Sequence, residues 1–580
     1  MRIFLILIPL FLFSFNSTSI IKKIKKERLF NSFEWKALLH YYNGEFQIKD
    51  KNFYMDNQPS LKMEMINLIK TYKKNPKVLC KFPARIYFLH KKLHIPYNPT
   101  ICKSLNIYLK KAPMEKLYLV YVSENVKYPT SIMGHTFFKI EGKDKNYKLH
   151  SHAISFYTLI NSYNPLVLLY ENIFSGMQGI YSLQPYNIII SNYIFKEDRN
   201  IWEYELNLDK FHKKLIYLHF WELKNIKIKY YFSSFNCSTL TYQILGIGNK
   251  NLFNLYPNYI WMTPLENVKS IYKTKLVKKA NLIPSNNWYI RMLEEYLNKK
   301  EINQVLNILN KKKFNNIPKL SPIQKELLIS SAILYYKKNR LLYKELIKIE
   351  KIKNNIKIDL SHYKLPQKIP PERQFSIDYM LNNNHKNYLK LSFLPASHTI
   401  YDNNKQYFTE NELKLFYTSF LINKKHIILN DFTIYGIKAL IPFDKIVKNL
   451  SYQAKISIEQ IPNNNLKKKL FLNINGGIGI SYKLKTNILF AIIPNTSLIY
   501  RKKLSLMPII SSYLSFYTKY NGKFILKYDR NYFKIKHLYE HLKITQNFFI
   551  KNFTPYLEIN FYKKKNNILK NITIGYKYLF

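Results

Sequence analysis

The sequence predicts an α+β protein in three parts: an N-terminal domain of mixed helices and strands, a helical spacer, and a C-terminal antiparallel β-barrel of roughly 10–12 strands. Three observations carry this prediction. Helix-like and strand-like patterns alternate up to about residue 280, a helical pattern fills residues 283–356, and strand-like segments of about 8–14 residues follow one another from about Lys386. The predicted parts are a signal peptide at 1–19, the N-terminal domain at 20–280, the spacer at 281–370 and the barrel at 371–580.

Residues 1–19 have the pattern of a secretory signal peptide. Arg2 precedes an apolar run from Ile3 to Phe15, and small polar residues follow at Asn16-Ser17-Thr18-Ser19. The run is too short and wrongly flanked for a membrane-spanning helix, and no later stretch reaches the roughly 18 apolar residues that such a helix needs. We therefore expect an exported protein that is cleaved near Ser19.

The chain is strongly basic, with a net charge of +55 from 91 Lys and Arg against 36 Asp and Glu. Its lysines are spread along the whole length together with Asn, Ile and Tyr, which indicates a coding bias rather than a binding stripe. No zinc finger, basic zipper or RNA-binding aromatic motif is present. We therefore expect no nucleic-acid partner, whereas an anionic lipid surface suits this charge.

Three cysteines in an exported chain allow at most one internal disulfide. The most economical pairing joins Cys80 to Cys102 and leaves Cys237 free. Cys237 stands where an aromatic run, Tyr231–Phe235, turns into a helix-like pattern. A thiol at a helix N-terminus has a lowered pKa and is therefore a candidate nucleophile, although a lone cysteine is more often a small buried hydrophobic residue.

His135 begins a predicted strand directly after Gly134, in a strand-rich region at residues 115–160. An isolated histidine is usually structural, but a histidine on a sheet beside a helix-capping cysteine is the candidate base. Papain-like folds usually place the cysteine helix before the histidine strand, whereas here the histidine comes 102 residues earlier. This order is that of circularly permuted papain-like enzymes, and we predict that fold for the N-terminal domain.

The C-terminal strands alternate as those of an outer-membrane barrel do. In the last nine residues, Ile572, Ile574, Tyr576, Tyr578 and Phe580 share one face, and Thr573, Gly575 and Lys577 lie mainly on the other. A soluble β-sandwich would also alternate, but the exported context, the terminal Phe and the aromatic residues near strand ends favour a barrel. The expected location is the outer membrane, with its lipid as a partner and the N-terminal domain in the periplasm.

The N-terminal part of the chain resembles the N-terminal periplasmic domain of the lipoprotein N-acylation transferase family, Lnb. In order and spacing, the resemblance covers roughly residues 30–270. The matching pieces are Trp35–Tyr41, Cys80–Arg85, Cys102, Pro129–Phe137, Asp198–Tyr204, Asn236-Cys237-Ser238 and Thr263-Pro264. The resemblance implies that His135 is the base and that Cys237 takes an acyl chain from phospholipid and passes it to the N-terminal amine of a lipoprotein.

A third polar group should orient the imidazole, and a papain-like layout draws it from the strand after His135. His150, His152 and Ser155 are the candidates. His150 and His152 share one face of that strand and Ser155 lies on the other, so the sequence leaves the choice open, and a simple dyad is also an option.

Three functions fit these features. The first is a cysteine acyltransferase that acts at the outer membrane on phospholipid or lipoproteins through a thioester on Cys237. The second is a cysteine hydrolase or amidase that acts on peptidoglycan or peptides, and the third is a non-catalytic barrel with a structural periplasmic domain. No cofactor is expected, and metal catalysis is not expected either, because His-Glu-x-x-His and paired Cys-x-x-Cys motifs are missing.

Overall fold

The predicted fold class is confirmed by the computed structural model, which contains a mixed helix–sheet region and a closed antiparallel barrel. It describes residues 15–124, 133–159, 167, 170–232, 234–256, 261–311, 319–336, 358–383, 387–424, 426–462, 466–485, 487–532, 538–564 and 566–580. Most of the predicted signal peptide lies outside these ranges, and so do residues 129–132 of the matching piece Pro129–Phe137. The chain divides into two compact units, the first comprising Met1–Ser123, Gly134–Lys196 and Ile201–Ile283, and the second Glu124–Met133, Glu197–Asn200 and Pro284–Phe580.

Several helices of the first unit begin at clear capping residues. The side chain of Asp209, the N-cap of its helix, accepts the N–H of His212, and Thr263 forms a capping box with Glu266 ahead of Pro264. The helices are α1 Ser17–Glu27, α2 Phe33–Leu38, α3 Leu61–Lys74, α4 Pro83–Leu93, α5 Lys103–Lys111, α6 Tyr186–Ser191, α7 Lys210–Glu222, α8 Cys237–Gly246, α9 Lys250–Asn254 and α10 Pro264–Lys273. Within the described residues, no helix has the length and apolar character to cross a membrane.

An antiparallel sheet forms the centre of the first unit, besides a small hairpin of β1 Tyr41–Tyr42 and β2 Glu45–Phe46. Its described strands run in the order β8-β6-β5-β4-β3-β7-β9. They are β3 Lys116–Val122, β4 His135–Lys143, β5 Leu149–Thr158, β6 Met177–Pro185, β7 Ile201–Leu206, β8 Lys229–Tyr230 and β9 Val277–Ile283. One face of β4 packs Phe137 against Tyr186 of α6, while the other packs Phe138 against Phe220 of α7. The sheet is therefore covered on both sides.

A buried charged cluster joins α3, α4 and α7. Arg85 is fully buried and lies 3.7 Å from the carboxylate of Glu64 and 3.5 Å from that of Glu222. Its guanidinium also stacks over the ring of Phe53 at 4.3 Å. Glu222 in turn accepts hydrogen bonds from the backbone at the start of α4 and contacts His219. Nearby, Cys80 and Cys102 form a disulfide.

The second unit contains the barrel and the helices before it. The helices are α11 Asn286–Glu294, α12 Lys299–Lys311 and α13 Pro322–Tyr336. The described strands are β10 Gln374–Asn382, β11 Tyr388–Leu394, β12 Ala396–His398, β13 Glu410–Ile422, β14 Ile427–Leu440, β15 Ser451–Pro462, β16 Lys468–Lys485, β17 Ile488–Tyr500, β18 Leu504–Thr518, β19 Gly522–Tyr532, β20 Leu538–Phe548, β21 Phe553–Lys564 and β22 Asn567–Leu579. The three-residue β12 aside, they form a closed 12-strand barrel, because β22 pairs with β10 and β11 pairs with β13.

The two faces of the barrel wall follow the predicted alternation. In β22, Ile574, Tyr576 and Tyr578 are exposed on the outside, whereas Thr573 and Gly575 are buried inside. The interior is polar: Lys527 pairs with Asp529, Lys543 with Glu558 and Lys455 with Glu459. An apolar outer surface around a polar lumen is the arrangement that a lipid bilayer demands of a barrel.

One end of the lumen is filled by the segment between β11 and β13. The Lys523 ammonium group donates to the carbonyl of Ile400, and the Lys577 ammonium group pairs with Asp402 at 3.1 Å. At the same end, α11 and α13 pack against the turn after β14: Arg291 donates to the carbonyl of Pro442 at 2.8 Å. The helical spacer therefore packs on the end of the barrel where both barrel termini lie.

Candidate active site

Cys237 is the first residue of α8, and the side chain of Asn236 fixes that start. The Asn236 carbonyl oxygen accepts the backbone N–H groups of Ser238 at 2.8 Å and Thr239 at 3.1 Å. Its amide group donates to the backbone carbonyls of Phe232 and Met262. Asn236 thus holds the loops on both sides of the helix start, and the free thiol of Cys237 is buried at the positive end of α8.

His135 is the first residue of β4 and pairs with Val122 of β3. The preceding Gly134 has a φ of +86°, and a Cβ atom there would lie 2.7 Å from the carbonyl oxygen of Val122. Only glycine therefore lets the chain approach β3 closely enough to begin the strand at His135. The strand start brings the imidazole against the thiol of Cys237.

The surroundings of the sulfur favour its thiolate. Burial alone raises the pKa of Cys237, but the charge and hydrogen bond of His135, the backbone N–H of Thr136 and the hydroxyl of Ser238 lower it, with a net value of about 6. The Ser238 hydroxyl oxygen lies 3.9 Å from the sulfur. A buried cysteine with this pKa is ionised at neutral pH, which a structural thiol is not.

Tyr230 is a further donor to the sulfur, and the sequence reasoning did not single it out. Its hydroxyl group hydrogen-bonds to Cys237, and burial of that hydroxyl, followed by the charge of Cys237, raises the pKa of Tyr230 well above its ordinary value. The phenol therefore stays protonated and donates. No local signal marks Tyr230, because β8 is placed by pairing with Met177 and Gln178 of β6.

Of the three candidates for the third group, only Ser155 lies on the face of the sheet that carries His135. Ile154 pairs with Phe138, so Ser155 lies beside Phe137 and its hydroxyl oxygen is 2.9 Å from His135 Nε2. This contact leaves Nδ1 as the ring nitrogen for the thiol.

His150 and His152 lie on the opposite face of β5 and do not contact His135. His150 bonds to Asp144 at 2.8 Å. His152 Nδ1 has no hydrogen-bond partner among the described residues, and burial followed by the charge of His150 lowers the pKa of His152. The structure thus brings together Cys237, His135 and Ser155.

Asn267 of α10 joins the strand and the helix that carry the pair, and it too was missed. Its buried amide donates to Thr136 Oγ1 at 3.1 Å and to the carbonyl of Ser238 at 3.0 Å. Thr136 follows the histidine and Ser238 follows the cysteine, so one side chain fixes their separation. A signal existed in the sequence, because Asn267 interrupts the apolar stripe that Leu265, Val268 and Ile271 form on α10.

Comparison with known proteins agrees with this architecture. Residues 104–273 match the family model described as the Lnb N-terminal periplasmic domain. Two further family models match residues 27–92 and 371–554, and both are described as domains of unknown function (DUF7843 and DUF7840). The comparison with curated proteins gives no match.

Several solved outer-membrane proteins are similar to the barrel part of the chain. A KdgM porin is 9% identical and a NanC porin 8%; each match covers 36% of this chain, with 99% and 100% of the porin chains and a TM-score of 0.23. OmpT of Vibrio cholerae is 9% identical over 36% of this chain and 95% of its own, with a TM-score of 0.20.

The match at residues 104–273 contains both Cys237 and His135, and it confirms the resemblance seen in the sequence. The closed barrel with its apolar outer surface supplies the membrane part of the molecule. The chain is an outer-membrane protein with a periplasmic N-terminal part, in which residues 104–273 are similar to the Lnb N-terminal periplasmic domain, and with a C-terminal β-barrel.

Proposed function

We propose that this protein is a cysteine acyltransferase of the outer membrane that works through a thioester on Cys237. The observation that carries the proposal is the contact between the His135 imidazole and a buried thiol at a helix N-terminus, which holds the pKa of Cys237 at about 6. An ionised thiol beside an imidazole is the arrangement that nucleophilic catalysis by cysteine needs. The family described above gives the substrate classes: phospholipid as acyl donor and the N-terminal amine of a lipoprotein as acceptor.

In the first half-reaction, the Cys237 thiolate attacks the carbonyl carbon of a phospholipid ester. The new C–S bond forms, the ester C–O bond breaks, and the departing alkoxide takes a proton from the His135 imidazolium. Tyr230 and the N–H of Thr136 donate hydrogen bonds at the sulfur. They lie where negative charge must be held before the attack and after the thiolate is released.

In the second half-reaction, the acceptor amine attacks the thioester carbonyl. The C–N bond forms and the C–S bond breaks, which returns the thiolate, while His135 takes the proton that the amine loses. The contact with Ser155 at 2.9 Å holds the imidazole so that the same nitrogen serves both steps. No other reactant is needed, because the ester supplies the acyl group and the proton is passed between leaving group and amine.

Hydrolysis is the competing chemistry, since water could replace the amine in the second step. The exposure of Cys237 favours transfer: only 4% of the residue is accessible, and every residue of α8 is buried. A thioester in such a place is shielded from water until an acceptor enters. The non-catalytic alternative offers no reason for a thiol pKa this far below its ordinary value.

Mass spectrometry of the full-length protein tests the proposal. Purified protein is incubated with phosphatidylethanolamine vesicles, and the peptide that contains Cys237 is analysed with and without hydroxylamine. We expect an acyl adduct on Cys237 that hydroxylamine removes, and no adduct in Cys237→Ala or His135→Ala. Addition of a diacylglyceryl-modified lipopeptide with a free N-terminal amine should discharge the adduct into an amide.

The controls separate the three functions. An adduct that decays into free fatty acid at the same rate with and without the lipopeptide would assign a hydrolase. A persistently unmodified thiol in protein that still reacts with iodoacetamide would contradict the proposal. Ser151→Ala, on the same strand as Ser155 but away from His135, is the matched variant that should keep full activity.

A further inference from the structure

One segment of the first unit is almost free of charge. Residues 153–195 carry a single charged side chain, Glu171. At the 22% of charged residues in the whole chain, a segment of 43 residues would carry about nine. A lysine-rich chain that lacks charges over such a length needs a physical reason. Burial of the segment in a protein core is not sufficient, because several of its apolar side chains are exposed.

The same segment exposes large apolar side chains. Among the described residues of the first unit, twelve large hydrophobic side chains are exposed, and seven of them lie between residues 153 and 195. They are Leu159, Val167, Tyr170, Phe174, Leu183, Ile188 and Phe195. Phe174 is 69% exposed and its ring centroid lies 5.7 Å from that of Tyr170, which is 60% exposed. Two exposed aromatic rings in contact are the kind of apolar surface that marks an interaction site.

The exposed aromatic pair is connected to the candidate site through two neighbouring strands. Gly176, two residues after Phe174, packs against the ring of Tyr231, and a Cβ atom there would lie 2.6 Å from Tyr231 Cζ. Met177 pairs with Tyr230, whose hydroxyl group donates to Cys237. The segment also contains Ser155, the partner of His135. The exposed pair Tyr170 and Phe174 therefore precedes directly, in the chain, the strand that pairs with the Tyr230 strand at the thiol.

The chemistry of the surface fits a phospholipid bilayer. A Tyr side chain prefers the boundary between headgroups and acyl chains, where its apolar ring is buried and its hydroxyl group stays wet, and a Phe beside it adds apolar area for the acyl chains. Lys229 is exposed, and its ammonium group donates to the carbonyl of Ser175, next to Phe174, at 3.0 Å. Lys227, two residues earlier in the chain, is exposed as well. Cations at the edge of an apolar face attract anionic lipid headgroups. The barrel anchors the chain in the same membrane, which raises the local concentration of that lipid.

We propose that the exposed aromatic pair Tyr170 and Phe174 inserts into the periplasm-facing surface of the outer membrane. There it takes up phospholipid acyl chains close to Cys237. The uptake of a substrate chain rests on the proposed acyltransferase function, whereas the insertion itself does not depend on any reaction.

Fluorescence of the full-length protein in vesicles tests the insertion. Phe174→Cys is made in a Cys237→Ser background, so that the introduced thiol is the sole free thiol beside the Cys80–Cys102 disulfide, and it is labelled with an NBD dye. The matched control is Ile107→Cys in the same background, an exposed apolar position on α5 among lysines. Both are reconstituted in phosphatidylethanolamine–phosphatidylglycerol vesicles with and without lipid brominated along its acyl chains.

We expect the dye at residue 174 to shift to shorter wavelength and to lose at least half of its emission to brominated lipid, while the dye at residue 107 does neither. Equal, weak quenching at both positions would overturn the proposal. A blue shift that grows with protein concentration, without quenching by brominated lipid, would overturn it too and assign the surface to a second copy of the chain instead.

A second variant separates insertion from chemistry. In the wild-type Cys237 background, Tyr170→Glu with Phe174→Glu should lower thioester formation from vesicles at least tenfold and leave the reaction of Cys237 with iodoacetamide unchanged. Quenching at residue 174 together with no thioester in wild-type protein would contradict the proposed function and leave the insertion supported. Thioester formation without quenching at residue 174 would contradict the insertion and leave the proposed function supported.

Discussion

The Nε2 atom of His135 lies 2.9 Å from the hydroxyl oxygen of Ser155, across two paired strands of one sheet. This contact fixes which ring nitrogen meets the thiol of Cys237. We therefore propose Ser155 as a positioning residue, because its hydroxyl group touches the imidazole and not the reacting sulfur.

Ser155→Ala should lower the rate of acyl transfer about tenfold, since losing one orienting hydrogen bond costs about 1–1.5 kcal/mol. The rate is measured as thioester formation on the full-length protein in vesicles. A structural role alone would leave the pH profile of the variant unchanged, whereas a positioning role shifts it. Ser155→Thr keeps the hydroxyl group and should restore most of the rate, and equal rates for Ser155→Ala and wild type would contradict the assignment.

The alkylation of Cys237 should follow a thiolate with a pKa of about 6. Because the thiol pKa is lowered, the thiolate and the iodoacetamide rate rise as pH increases through about 6 and level off about one pH unit higher. His135→Ala removes the positive partner and should move the midpoint upward, beyond about pH 8, since burial then dominates. The midpoint is read from the labelled peptide by mass spectrometry, and a wild-type midpoint above about pH 8 would refute the ion pair.

Tyr230→Phe removes one hydrogen bond to the sulfur and leaves the ring in place. The pKa of Cys237 should rise by about one unit, because a hydrogen bond to a charged group contributes roughly 1.5–3 kcal/mol and part is replaced by the other donors. The measurement is the same alkylation profile. Tyr231→Phe, on the neighbouring residue, is the matched control, and an unchanged midpoint in Tyr230→Phe would exclude Tyr230 from the sulfur's surroundings.

Asn267→Leu keeps a similar side-chain volume but leaves Thr136 Oγ1 and the carbonyl of Ser238 without their donor. We expect a loss of about 1–3 kcal/mol in the free energy of unfolding of the first unit, because two buried hydrogen bonds from the Asn267 amide are lost. Acyl transfer should fall more than about tenfold as the strand and helix separate. Lys273→Ala, at an exposed position on the same helix, should change neither quantity.

Arg85→Met should destabilise the first unit by about 3–5 kcal/mol, since it leaves the buried carboxylates of Glu64 and Glu222 without their cation. Urea unfolding followed by tryptophan fluorescence reports on this unit, because four of the five tryptophans lie in it. Adding Glu64→Gln to Arg85→Met should recover part of the loss. Additive losses in the double variant would mean that Glu64 and Arg85 are not coupled.

The sequence by itself determined the features that depend on neighbouring residues. The apolar run at Ile3–Phe15, the alternation at 572–580 and the change to a helix-like pattern at Cys237 are local patterns, because side-chain direction repeats every two residues in a strand and about every 3.6 residues in a helix. These patterns were enough to predict the barrel, whose closure the structure confirms, and to place Cys237 at a helix start.

The tertiary structure alone decided which polar groups meet at that cysteine. Because side chains alternate between the two faces of a strand, the sequence places His150 and His152 on one face and Ser155 on the other. Only the pairing of Ile154 with Phe138 shows which of these faces carries His135. Tyr230 and Asn267 reach the site through strand pairing and helix packing over separations of up to 131 residues in the chain. Such contacts depend on register and on the approach of distant elements, and no local pattern carries that information.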